Sequence, residues 1–364
     1  MSAIFNLLWV VPSLAGLGGS EYAAVTFARL VAGDGHRLRL LTGPQVHPAW
    51  QKLLQVDGLH LIKAADGSPD ALCESTLALL EERPADLIQF MPIEAHCLAW
   101  LRKGQGVPVI GWEPTDLSPR CWWLPDALNE QIHHLDALLV LNPDAALHAR
   151  GHYGYQGPVT VLPNTLIDPP QSLPARALNG TPVVGCIARL SAEKGLEFLL
   201  AALSLLHVRC PHVRLRLWGE GEDRERLGNL AKMLGVAAHV EFMGAFEPFG
   251  GIDAVAAGVD VFVLSSLFEG APVALLELAA RGRPVVASMT AGARWVCGDD
   301  YPWLTPIGDT RALADSLASA LEDPAREARG QALRQRFARQ FSNEQALATL
   351  CAAYADLLSA GARS

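Results

Sequence analysis

Short apolar runs alternate with longer amphipathic segments and are interrupted once by a proline-rich stretch, a pattern that predicts an α/β chain of two doubly wound domains. The runs fall at 4–11, 36–42, 86–91, 107–112, 137–142 and 159–162, then at 182–188, 213–218, 259–265 and 284–288. Their nearly continuous apolar character implies parallel strands covered on both faces. Helical patterns such as 20–33, 194–206 and 222–235 lie between them, giving the alternation of βαβ units. The stretch 163–182, "PNTLIDPPQSLPARALNGTP", carries five prolines and reads as a linker. After it, "VVGCIARLSAEKG" restarts a strand–loop–helix as "NLLWVVPSLAGLGGSE" does near the N-terminus. The expected domains are 1–170 and 171–340. Residues 341–364 are expected to form one amphipathic helix, with Ser342 as cap and Glu344 near its start, packing back on the first domain.

Half of the 364 residues are apolar and 18% are charged, enough to build more than one core and unlike a disordered chain. A net charge of −9, with no Lys/Arg-rich block, argues against a general nucleic-acid binder. The seven cysteines are scattered and include no CxxC pair, which reads as reduced thiols of a cytoplasmic protein rather than a disulfide frame or zinc site. The first residues, "MSAIFNLLWVVPSLAGLGG", lack the positive flank of a signal peptide and read as a buried first strand. No run of about 18 apolar residues predicts a membrane-spanning helix.

Three stretches carry the chemistry. In "ARLSAEKGLEFLL" (188–200), Arg189 and Lys194 flank a loop between a strand and a helix. Two cations beside a helix N-terminus suit a diphosphate, although solvated loop charges would look the same. In "LRLWGEGEDRERL" (215–227), Gly219 and Gly221 follow a strand, where glycine serves either a ligand or the turn itself. In "VDVFVLSSLFEGAPVALLE" (259–277), Glu269 and Gly270 lie in a loop, Pro272 fits a first helical turn and Glu277 falls inside the helix. Eight residues of helix would span roughly 12 Å, a distance suited to two carboxylates gripping hydroxyls at opposite ends of one ligand. A helix-start glutamate complementing the dipole and a surface glutamate are the plainer reading.

Together with "VEFMGAF" and "RGRPVVAS", these stretches stand in the order of the retaining GT-B glycosyltransferases, and the chain resembles their sucrose-synthase-like family 4. The resemblance covers the C-terminal half and, more loosely, the N-terminal half. It implies a GT-B fold, two Rossmann-like domains facing across a cleft. It also implies a retaining, metal-independent transferase moving a sugar from a nucleotide diphosphate to an acceptor hydroxyl, without an enzymic nucleophile. By the same resemblance Arg189 and Lys194 hold the donor diphosphate, Glu269 contacts the donor sugar and Glu277 the ribose. Backbone N–H groups over Gly270, Ala271, Pro272 and Val273 bind sugar and phosphate, Phe246 lines the base pocket, and Gly18 and Gly19 approach the phosphate. The donor is expected to be UDP- or GDP-linked, with no further cofactor. The acceptor is left open among a glycan, a lipid-linked sugar, a small molecule and a protein.

This sequence departs from the family where Arg294 or Trp295 replaces a usual glutamate. It departs again where Glu113–Pro114 and Gln89 to Met91 stand in place of N-terminal-domain histidines. His96 could substitute in space or belong to a helix interior. Trp100, Trp112, Trp122 and Trp123 could serve an acceptor or the core. Arg102, Lys103 and Arg120 form no basic amphipathic face, so peripheral membrane contact is left open without positive support. No D-x-D element points to a metal. The alternative reading is a catalytically silent sugar-nucleotide-binding subunit. A nicotinamide-dependent oxidoreductase, suggested by "GLGG" at 16–19, lacks the full glycine spacing.

Overall fold

Strands β1 (Asn6–Val11), β2 (Arg37–Thr42), β3 (Leu59–Lys63), β4 (Leu87–Phe90), β5 (Val109–Glu113), β6 (Ala137–Val140) and β7 (Val159–Val161) form a parallel sheet. Its order is β3-β2-β1-β4-β5-β6-β7. A second parallel sheet joins β8 (Val183–Ile187), β9 (Arg214–Trp218), β10 (Val240–Gly244), β11 (Val261–Leu264), β12 (Val285–Ser288) and β13 (Leu304–Thr305). Here the order is β10-β9-β8-β11-β12-β13. The computed structural model describes residues 4–103, 106–114, 116–118, 128–169, 180–245 and 251–361. Most of the expected linker, 170–179, lies outside the described residues.

The central strands β4, β5, β6, β8, β11 and β12 are buried along their whole length, which is why their sequences are apolar without alternation. Three strands missing from the sequence expectation, β3, β10 and β13, all lie away from the sheet centres. β3 and β10 are edge strands, with His60 and Lys63 exposed and Glu241 half-buried, and β13 is two residues long. An edge strand is covered on fewer sides, so its sequence need not be apolar.

The chain divides into two compact units, residues 1–167 with 342–364, and residues 168–341. The C-terminal helix Asn343–Gly361 belongs to the first. Ser342 caps it, accepting the Gln345 N–H at 3.3 Å. Thr165 donates to Asn343 Oδ1 at 2.7 Å, and the Tyr354 hydroxyl, fully buried, donates to Gln89 Oε1 of β4 at 2.7 Å. Farther along, Asp34, His36 and Cys351 bring three metal-capable atoms within 4.8 Å of one another. His36 Nδ1 accepts the Phe5 N–H at 3.2 Å, so the neutral ring carries its proton on Nε2. Nε2 is the atom that faces Cys351 Sγ and Asp34 Oδ2, each at 3.4 Å. It therefore offers them a donor rather than a lone pair, and the trio is a hydrogen-bonded clamp between helix and sheet. Among the described residues no helix is long and apolar enough to cross a membrane.

Tyr354→Phe leaves the buried Gln89 carbonyl without its donor. It should lower the stability of the first unit by about 1–3 kcal/mol, read as a fall in urea midpoint at constant slope. An unchanged midpoint would mean that this bond does not anchor the helix.

Candidate active site

The second sheet changes direction of build between β8 and β11: the chain leaves β8 for β9 on one side, and β11 lies on the other. Loops at the carboxyl ends of such neighbours diverge and leave a crevice. The loop after β8 runs through Arg189 into a single 3-10 turn, Ala192–Lys194, and Gly195 joins that turn to the helix Leu196–Leu206. Gly195 has φ +58°, and a side chain there would begin 2.4 Å from the Ser265 carbonyl oxygen. The glycines after β9 serve the same loop. Gly219, at φ +141°, donates its N–H to the Gly244 carbonyl at 2.7 Å, and a Cβ on it would lie 1.8 Å from Ala188 O. One on Gly221 would lie 2.3 Å from Leu190 O. Close packing thus explains both glycines.

Glu269 and Lys194 meet where the loops after β8 and β11 touch. Lys194 Nζ donates to Glu269 Oε1 at 2.8 Å, and the Ser266 hydroxyl donates to the same oxygen at 2.7 Å. Ser265 donates to the Lys194 carbonyl at 2.9 Å, and the Leu267 N–H to the Glu193 carbonyl at 2.8 Å. Behind the carboxylate, Gly292 donates its N–H to the Glu269 carbonyl at 2.9 Å. A Cβ on Gly292 would sit 2.5 Å from Gly270 O. The lysine and glutamate side chains retain 22% and 13% of their exposure, enough for a ligand to reach them from one side. Beneath them Cys186 is held protonated, because burial pushes its thiol up to about 12. Sequence reasoning missed Ser265, Ser266 and Gly292, since nothing in a lone hydroxyl or glycine announces which loop it will touch.

The helix Val273–Ala280 starts one residue later than expected. Pro272 is its N-cap, in an extended conformation, and no side chain caps the helix. Of the four expected backbone donors, Val273 has its N–H at the helix start, but Pro272 has none, and its expected donor role is withdrawn. Half of the Glu269-to-Glu277 path is therefore loop rather than helix. Glu277 is buried and bound by Arg281, one turn on, whose Nε also donates to Asp253 at 2.5 Å. The i, i+4 spacing of Glu277 and Arg281 was a visible signal of that pair. Arg189 is exposed and, among the described residues, has no carboxylate partner. Phe246 lies outside the described residues, as do Arg120, Trp122 and Trp123.

In the first unit, Gly18 is the N-cap of helix Gly19–Gly33, which follows β1 at the junction of β1 and β4. Trp100 and Trp112 are core residues, Trp112 edge-on to Phe27 at 4.7 Å. His96 is buried against Phe90, and desolvation pushes it down to about 3, so it stays neutral. Gln89 is committed to Tyr354, and Glu113, at the end of β5, is buried and accepts the Ile93 N–H at 3.3 Å. Arg294 pairs with Asp299 at 2.9 Å.

Residues 181–323 match the family described as Glycosyl transferases group 1. The chain is 36% identical over 146 residues to the lipopolysaccharide core biosynthesis glycosyltransferase LpsE of Rhizobium meliloti, an alignment covering 39% of this chain and 40% of that protein. The sucrose-phosphate synthase of Thermosynechococcus elongatus superposes over 98% of this chain and 100% of its own, with a TM-score of 0.82 at 18% identity. HepE of Anabaena, solved with UDP and glucose, superposes over 96% and 99% with a TM-score of 0.78 at 19% identity. At these identities the structural likeness is one of fold. The chain therefore carries a Glycosyl transferases group 1 domain over residues 181–323, on a two-sheet α/β fold that matches GT-B glycosyltransferase structures.

Proposed function

We propose that this protein is a retaining glycosyltransferase that moves a sugar from a nucleoside diphosphate to an acceptor hydroxyl without a metal ion. The observation that carries the reading is the Lys194–Glu269 pair at the junction of β8 and β11, beside a helix start that no side chain caps. Departure of the nucleotide builds negative charge on the diphosphate. Lys194 keeps N–H donors beyond the one given to Glu269, Arg189 has no competing carboxylate among the described residues, and the start of Val273–Ala280 adds its positive dipole end. Preorganised charge of this kind is often the largest catalytic contribution.

Glu269 is suited to holding the sugar rather than attacking it. Its Oε1 is occupied by Lys194 and Ser266, which lowers its nucleophilicity, while Oε2 remains to accept a sugar hydroxyl. With Glu269 held to the sugar, the acceptor oxygen attacks the face that the nucleotide leaves, its proton passes to the departing diphosphate, and configuration is retained. Glu277, oriented by Arg281, holds the ribose. A UDP-linked sugar is the first donor to test, in line with the UDP and glucose of the HepE complex, and a GDP-linked sugar the second. The overall activity, donor and acceptor are inferences from this site, since the alignment spans 40% of LpsE.

Lys194→Ala and Glu269→Gln should each lower turnover by about a hundredfold or more with melting temperatures that show an intact fold. Near-full activity in either variant would remove the pair from the mechanism. In a thermal-shift panel of UDP-, GDP-, ADP- and dTDP-sugars, one base should stabilise the protein and Glu277→Ala should lose that shift. Retention of the shift in Glu277→Ala would exclude it from the ribose. Donor binding without transfer to any hydroxylic acceptor would instead identify a sugar-nucleotide-binding subunit.

A further inference from the structure

A cavity of about 260 Å³ opens in the first unit at the amino-terminal ends of the strands, the opposite ends from the loops that follow β1 and β4. Parallel pairing sets Asn6 beside Arg37 and Arg39 beside His60. Residues two apart on a strand share a face, so Arg37, Arg39 and His60 project together toward the end of the helix Pro69–Glu82, where Glu82 and Arg83 close the rim.

Arginines without a carboxylate partner occur elsewhere among the described residues, Arg29, Arg189 and Arg334 included, but here three such arginines line one cavity. Arg209, Arg214, Arg216, Arg226, Arg281 and Arg329 each lie within 3.0 Å of a carboxylate oxygen. Among the described residues, Arg37, Arg39 and Arg83 have none within 4.0 Å. Arg39 is half-buried. Its guanidinium donates to the Leu79 carbonyl at 2.6 Å and the Arg83 carbonyl at 2.8 Å, covering the helix's negative end. Burial and the neighbouring Arg83 charge both push Arg39 below its ordinary range, against the opposite pull of Glu82. Arg83 reaches only the neutral Asn6 carbonyl, at 3.4 Å. Oδ2 of the nearby Asp86 accepts the Asn6 backbone and side-chain N–H groups.

We infer that this cavity is a binding site for a phosphate-bearing anion. Arg37 and Arg83 offer planar forks that match phosphate oxygens, Arg39 adds its charge while held by the helix-end carbonyls, and a bound anion would supply countercharge. The volume is below the roughly 300 Å³ at which ordinary ligand pockets begin, which suits a phosphate group rather than a whole nucleotide sugar. Such a group could arrive on a free metabolite or as a lipid headgroup.

The test is a calorimetric titration of the full-length chain carrying Lys194→Ala, which removes the proposed donor-site lysine. Inorganic phosphate and vesicles of phosphatidylcholine with phosphatidylglycerol are the two probes, at low ionic strength. Saturable binding of phosphate identifies a free anion, and binding of vesicles alone identifies a headgroup. In either case Arg37→Ala with Arg83→Ala should weaken it by about tenfold or more, and Glu82→Gln should tighten it. Binding of neither probe, or binding unchanged by the two arginine substitutions, overturns the inference. Because the readout is the difference made by Arg37 and Arg83, it is independent of whether Lys194 serves a donor.

Discussion

One carboxylate oxygen, Oε1 of Glu269, ties together the two loops on which the candidate site depends. Lys194 comes to it from the loop after β8, and Ser266 from its own loop after β11. The Ser266 contact forms within the loop after β11, whereas the Lys194 contact needs the two loops to lie close together. Their separation is set by backbone packing at Gly195, Gly219, Gly221 and Gly292, where any side chain would meet a carbonyl oxygen at 2.5 Å or less. The sheet supplies the location, the glycines the close approach, and the shared oxygen the register between a cation and an anion. Opposite charges in van der Waals contact, still open on one side, can receive a ligand that carries both an anionic and a hydroxylic part.

Helix starts in the second unit are of two kinds. Thr290 and Asp309 cap the helices Ala291–Cys297 and Thr310–Glu322 with side-chain oxygens, and these ends need nothing more. The helices Leu196–Leu206, Arg224–Met233, Val273–Ala280 and Arg326–Gln340 begin without such a cap, and Val273–Ala280 starts beside Glu269. Leaving orphan N–H groups at that end costs stability, a cost that a bound phosphate would offset.

Much of the fold was legible because the forces that set it act along the chain. Buried parallel strands must be apolar throughout, so β1, β4, β5, β6, β8, β11 and β12 stood out. Edge strands β3 and β10 did not, because half of their surface faces water. Of the candidate site, the charged residues were legible as types at characteristic spacings, and Arg189, Lys194, Glu269 and Glu277 were all named. What could not be read was the partnership. Ser266 shares an oxygen with Lys194 across 72 positions, as the numbering shows, and no local pattern encodes that meeting. Pro272 was misjudged for the opposite reason: a proline near a helix start is compatible with N-cap or first turn, and only the backbone decides. The arginines at the base of the first sheet were overlooked because Arg37, Arg39 and Arg83 converge only once β2 pairs with β3 and the intervening helix folds back.

The claim that Lys194 faces a donor diphosphate is tested most directly by phosphorus NMR of UDP and GDP titrated into the wild-type and Lys194→Ala chains. The account predicts that one nucleotide's β-phosphate resonance shifts and broadens with the wild type and stays at its free position with the variant. A β-phosphate that responds equally to both chains, or to neither, would contradict it.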